Sequence, residues 1–162
     1  MDTHDLGTVD TFTTGTVGPK GQRVFYLQAV VEGATYSFRL EKQQVLAMAE
    51  HLANLLEDLP EISANEWTSA PKLIEPVDAI WTVGAMGAMY DSIDDNIVIM
   101  AEEMTEDPDL DDAATATFRL GRGQTVAFIE RAHEVVEAGR PPCAFCSRPL
   151  NYGVDGFCPC WN

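Results

Sequence analysis

Between Thr35 and Leu40 the apolar residues Tyr36, Phe38 and Leu40 alternate with Ser37 and Arg39. A period of two sends successive side chains to opposite faces, so this stretch predicts a strand with one buried and one wet face. Arg23 to Val31 is apolar almost throughout and predicts a largely buried strand, joined to its neighbour by a tight turn at Glu32-Gly33. Thr11 to Val17 is Thr-rich and β-branched, which suits a strand, and Gly18-Pro19-Lys20-Gly21 is a turn. The residues before Thr11 are polar and read as a frayed end. From Lys42 to Leu59 the period lengthens. Val45, Met48, Ala49, Leu52, Leu55, Leu56 and Leu59 form one stripe, while Glu50, Asn54, Glu57 and Asp58 face away. That is a helix with one buried side, and Pro60 ends it.

The pattern then recurs. After a connector from Glu61 to Asp78, strands are predicted at Ile80–Gly84, Asn96–Ala101 and Ala114–Leu120, and a helix at Gln124–Ala138. Phe38-Arg39-Leu40 with Gln44, Ala47 and Glu50 matches Phe118-Arg119-Leu120 with Gln124, Ala127 and Glu130 at a single offset of 80 residues. Six matches at one offset indicate an internal duplication. Thr16-Val17-Gly18 and Thr82-Val83-Gly84 match at an offset of 66, so the second copy carries an insertion. It is the acidic run 102–112, whose self-repulsion predicts an exposed loop. The expected fold is α+β: two strand-strand-strand-helix units forming an antiparallel sheet domain over residues 1–140. Copy one spans 11–60 and copy two 79–139, and a small tail follows at 141–162. One six-stranded sheet or two three-stranded sheets would both satisfy the pattern.

Charge narrows the partners. With 26 acidic and 10 basic residues the formal net charge is -16, which repels nucleic acid and anionic membranes and favours a protein partner with a basic surface. No segment is apolar enough to span a bilayer, and no leader pattern precedes the domain, so a cytoplasmic location is expected. All four cysteines fall in the tail: Cys143 and Cys146 as Cys-x-x-Cys, then Cys158 and Cys160 around Pro159. Two thiolate pairs presented by successive turns can grip one tetrahedral ion, which points to a structural zinc site in a zinc knuckle ahead of the alternatives, reversible dithiol chemistry or unligated cysteines. The Cys-Pro-Cys spacing is one residue tighter than the usual second knuckle. Four thiolates leave no open coordination position, so zinc catalysis is not expected there.

Other candidates are weaker. Arg39 and Lys42 correspond to Arg119 and Arg122, each pair straddling a strand-to-helix junction. A cation in the first helical turn opposes the helix dipole, which makes these four residues candidates for anion binding. The plainer reading, that they counter nearby carboxylates, is preferred. His51 and His133 lie at the edges of the helix stripes and read as solvated helix positions. The acidic loop lacks the alternating ligands of a calcium loop. No phosphate loop, nucleophile elbow or helical zinc-protease motif occurs, so no catalytic residue is assigned. Trp81 is expected in the core, and Trp161 is a candidate contact residue beside the metal site.

Several stretches carry a family resemblance: Gly15-Thr16-Val17-Gly18, Gln22 to Ala29, Leu40 to Val45, Trp81 to Gly84 and Ala138-Gly139-Arg140-Pro141-Pro142-Cys143-Ala144-Phe145-Cys146. Over most of its length the chain resembles the family called domain of unknown function 3090. Members of that family finish with a Gly-His-x-Cys-Pro pattern, where this chain has Gly156-Phe157-Cys158-Pro159-Cys160. Cys158 thus replaces a family histidine, or it matches the family cysteine and Cys160 is new. The resemblance also implies longer ends and a basic C-terminal extension that this sequence lacks. It implies no activity. The residues favour a non-enzymatic adaptor with a structural zinc. The rivals are an acidic inhibitor that mimics nucleic acid and a ligand-binding or enzymatic subunit with a basic cleft at the strand-helix junctions.

Overall fold

The computed structural model describes residues 3–138, apart from 20, 64, 65, 108, 110 and 111. The chain runs through β1 (Thr3–Thr8), β2 (Thr11–Val17), β3 (Val24–Val31), β4 (Ala34–Leu40), α1 (Lys42–Glu57), β5 (Ala79–Asp91), β6 (Asn96–Glu103), β7 (Thr115–Leu120) and α2 (Arg122–Glu137). The strands form one mixed seven-stranded sheet in the order β1-β7-β6-β5-β4-β3-β2, with the helices on it, an α+β arrangement. The expected zinc-knuckle tail lies outside the described residues.

Two expectations are corrected. The sheet is not wholly antiparallel: β4 pairs parallel with β5, and β1 pairs parallel with β7. The residues before Thr11 are not frayed, since Thr3–Thr8 form that seventh strand. The remaining pairings, β2 with β3 with β4 and β5 with β6 with β7, are antiparallel hairpins. Glu32 and Gly33 both take positive φ (51° and 82°), the twist that a two-residue hairpin turn requires.

β1 and β2 sit at opposite ends of the strand order, yet only Val9 and Asp10 separate them in the chain. The Val9 amide donates to the Arg119 carbonyl (3.1 Å) and the Asp10 amide to the Val30 carbonyl (2.8 Å). Successive N–H groups of a strand point to opposite sides, so this short link continues the ladder from β7 to β3. The sheet closes on itself. β5 behaves in the same way, with its first residues beside β4 and those from Val83 onward beside β6.

Alternation along these strands sends Leu27, Ala29, Phe38, Val83, Ile97, Ile99, Ala116, Phe118 and Leu120 into one core. Val45, Met48, Ala49 and Leu52 of α1 and Phe128, Ala132, Val135 and Val136 of α2 join the same cluster. At its centre Phe38 and Phe118 meet edge to face at 5.6 Å, and Phe12 lies 4.9 Å from Phe128. Trp81 is buried against Phe38 as expected, and its indole N–H has no acceptor among the described residues.

Candidate functional site

The two strand-to-helix junctions are built alike. Gln44 accepts the Glu41 amide on Oε1 (2.7 Å), which caps α1, and donates from Nε2 to the Val83 and Gly84 carbonyls (3.1 and 3.0 Å). Gln124 accepts the Gly121 amide (2.9 Å) and donates to the Val9 and Asp10 carbonyls (3.1 Å each). Each glutamine thus satisfies one orphan amide of its helix and two carbonyls at the bend of a strand. About two turns further on, His51 donates from Nε2 to the Ala88 carbonyl (2.9 Å), and Arg131 donates from Nε to the Thr14 carbonyl (3.2 Å). A carbonyl only accepts, so the His51 proton sits on Nε2. His133 is exposed on α2.

The four junction cations have unlike surroundings. Arg39 lies on β4 and Arg119 on β7, three strand positions apart whichever way the closed ladder is followed. Their neighbours Phe38 and Phe118 meet across the core, so strand alternation turns Arg39 and Arg119 outward on different sides of it, and the four form two pairs and no single cleft. Arg119 donates to Asp91 Oδ2 (3.1 Å) and Asn96 Oδ1 (3.4 Å). Arg122 donates from Nη2 to Asp95 Oδ2 (3.2 Å) and from Nη1 to the Pro60 carbonyl (2.7 Å). Its Nε is 3.2 Å from Asp95 Oδ1, close enough for charge pairing but not aligned for a hydrogen bond. The Tyr90 hydroxyl completes the group by donating to Asp95 Oδ1 (2.7 Å).

Backbone amides of Asp94 and Ile93, with help from Arg119, hold the Asp91 carboxyl below the usual range. The Tyr90 hydroxyl and then Arg122 do the same for Asp95, and the Asp95 carboxylate in turn raises the Tyr90 phenol. Arg39 and Lys42 have no such counter-charge among the described residues.

The two outer faces of the sheet differ more. Over β2, β3 and β4 the connector lies as a strap. Pro71 O accepts from Thr13 Oγ1 (2.6 Å), Gln28 exchanges bonds with the Ile74 amide and carbonyl (2.8 and 3.2 Å), and Leu73 lies against Gly15. Gln28 also donates to Ser37 Oγ (3.1 Å), so a polar trio is buried beneath backbone. Over β5, β6 and β7 no strap lies among the described residues. Met100 and Met89 are 46% and 53% exposed there, beside an uncrowded Gly87. On the flank of that face a groove of about 370 Å³ runs between α1 and β5, lined by Gln44, Ala47, Met48, His51, Gly84, Met86 and Gly87. A second cavity of about 490 Å³ lies at the end of α1, under Trp67 and beside Arg122.

The family model described as a protein of unknown function (DUF3090) matches residues 4–158. The chain belongs to the DUF3090 family. No curated protein matches it, and no solved structure does. In this DUF3090 chain the four candidate zinc ligands, Cys143, Cys146, Cys158 and Cys160, lie outside the described residues, as does Trp161. Among the described residues no group of three or more His, Cys, Asp or Glu side chains is placed to hold a metal, and no helix is long and apolar enough to cross a membrane. Pattern reading missed the Tyr90, Asp91, Asp95 group and the strap. The signal for the strap was Gln28, a polar residue in a strand otherwise buried on both faces, which needs a partner.

Proposed function

We propose that this DUF3090 protein is a non-enzymatic, cytoplasmic interaction or adaptor protein. The partner surface is the open outer face of β5 and β6 together with a zinc-held tail. The observation that carries the reading is the contrast between the sheet's two outer faces, one strapped and one presenting Met89 and Met100 to solvent. Flexible, polarizable methionines suit a surface that packs against another protein. The net charge of -16 favours a partner with a basic rim around that contact. We read the two halves as products of an internal duplication, which accounts for the paired glutamine contacts. In the tail, Cys143, Cys146, Cys158 and Cys160 are assigned to one structural zinc, whose binding would order a segment too short to build a core.

Native mass spectrometry of the full chain is expected to find one zinc, lost in Cys143→Ser. A pull-down with Met89→Lys/Met100→Lys is expected to lose a partner that the parent chain retains. Equal recovery by both would overturn the assignment of the face, and a metal-free parent would overturn that of the tail. A second reading, anion capture, draws support from Arg39 and Lys42, the pair without counter-charge among the described residues.

A further inference from the structure

The groove between α1 and β5 has a counterpart between α2 and β2. Gln44, Ala47, Met48 and His51 stand in α1 where Gln124, Ala127, Phe128 and Arg131 stand in α2. The hydrogen bonds to Val83, Gly84 and Ala88 repeat those to Val9, Asp10 and Thr14. The difference lies in what fills the space. Between α2 and β2 the strap passes through as Thr68-Ser69-Ala70-Pro71, leaving a cavity of about 50 Å³. Between α1 and β5 about 370 Å³ stays open among the described residues.

We propose that residues 139–162 of this chain fold back into the α1–β5 groove, as the connector fills the other. Three observations name this occupant. The connector leaves the end of α1 and reaches the Thr13 contact at Pro71 within 14 residues, 58–71, while 24 residues follow Ala138. The last turn of α2 is on the correct side: Arg23 Nη1 donates to the Val135 carbonyl (3.2 Å), and β3 begins beside the end of β4, which leads into α1. The segment also has suitable chemistry, because Pro141-Pro142 favours an extended backbone, as Pro71 does in the strap, and Ala144, Phe145 and Leu150 match walls made of Met48 and Met86. The approach differs in one respect. Gln43 stands in α1 where Gly123 lets the connector backbone touch α2, so the returning segment joins the groove beyond the first turn of the helix.

This inference supplies the place where the tail of the proposed function sits, beside the methionine face, and does not need the tail to hold zinc. The test puts a photoreactive side chain in the groove of the full chain, Ala47→p-benzoylphenylalanine, and maps its adducts by peptide mass. The expected result is an adduct within one chain to residues 139–162, with a yield unchanged on dilution. Gly87→Trp, which adds bulk where a Cβ meets nothing within 4 Å, is expected to cut that yield several-fold. Adducts between two chains, adducts confined to residues 3–138, or no adduct at all would each overturn the proposal, whether or not the Gly87 variant folds. A partner lost with Met89→Lys/Met100→Lys while the adduct is missing would sink this inference alone. The adduct without any partner would sink the adaptor reading alone.

Discussion

Gln44 and Gln124 show how much one side chain can hold. Each ties a helix start to the bend of a strand that belongs to the other half of the molecule. Truncation leaves the carbonyls at that bend without their side-chain donor and removes the cap of the helix. Gln44→Ala and Gln124→Ala are therefore each expected to cost about 1–3 kcal/mol, read as a lower urea midpoint with an unchanged slope. The Asp91 and Asp95 carboxyls give a second expectation. Both are held below their ordinary values in the fold, so their contribution is present above the usual carboxylate pKa and is lost as pH falls through the folded values. Asp91→Asn/Asp95→Asn is expected to be less stable than the parent at neutral pH. The difference should shrink below about pH 4, as followed by urea titration at each pH. The glutamines stood out in the sequence because they repeat, but their strand partners did not, since Val9-Asp10 and Val83-Gly84 fall outside the offset of 80.

Among the elements, both helices and the hairpin β3–β4 were legible because their apolar periods are clean. β1 was not: Thr3-His4-Asp5-Leu6-Gly7-Thr8 has one large apolar residue, and what makes it a strand is β7, far along the chain. β5 was cut short in the reading at Gly84 because Gly and Ala are poor strand formers, whereas the strand runs on to Asp91 beside β6. The parallel β4–β5 pairing follows from the crossover through α1 and the connector, and the parallel β1–β7 pairing from closure of the sheet, which no local pattern encodes. The connector is an integral layer rather than a spacer, and two glycines test this. A Cβ on Gly123 would overlap the Glu66 carbonyl, a backbone atom, so Gly123→Ala is expected to lose about 1–3 kcal/mol and to loosen residues 66–74 in hydrogen exchange. Gly87→Ala, with open space around its Cβ, is expected to stay within about 0.5 kcal/mol of the parent.

For the molecule as a whole, closure also constrains when folding can finish. The β3–β4 hairpin forms from neighbours, but Thr3 faces Thr115 and Val9 bonds to Arg119. Contacts this far apart along the chain are slow to form. In pulse-labelled refolding the Val9 amide is expected to gain protection after the amides of β3 and β4, and simultaneous protection would argue against late closure. During synthesis the consequence is sharper. The β1 segment leaves the ribosome long before β7, the strand it pairs with, so a half-made chain exposes two raw sheet edges to its neighbours and to chaperones.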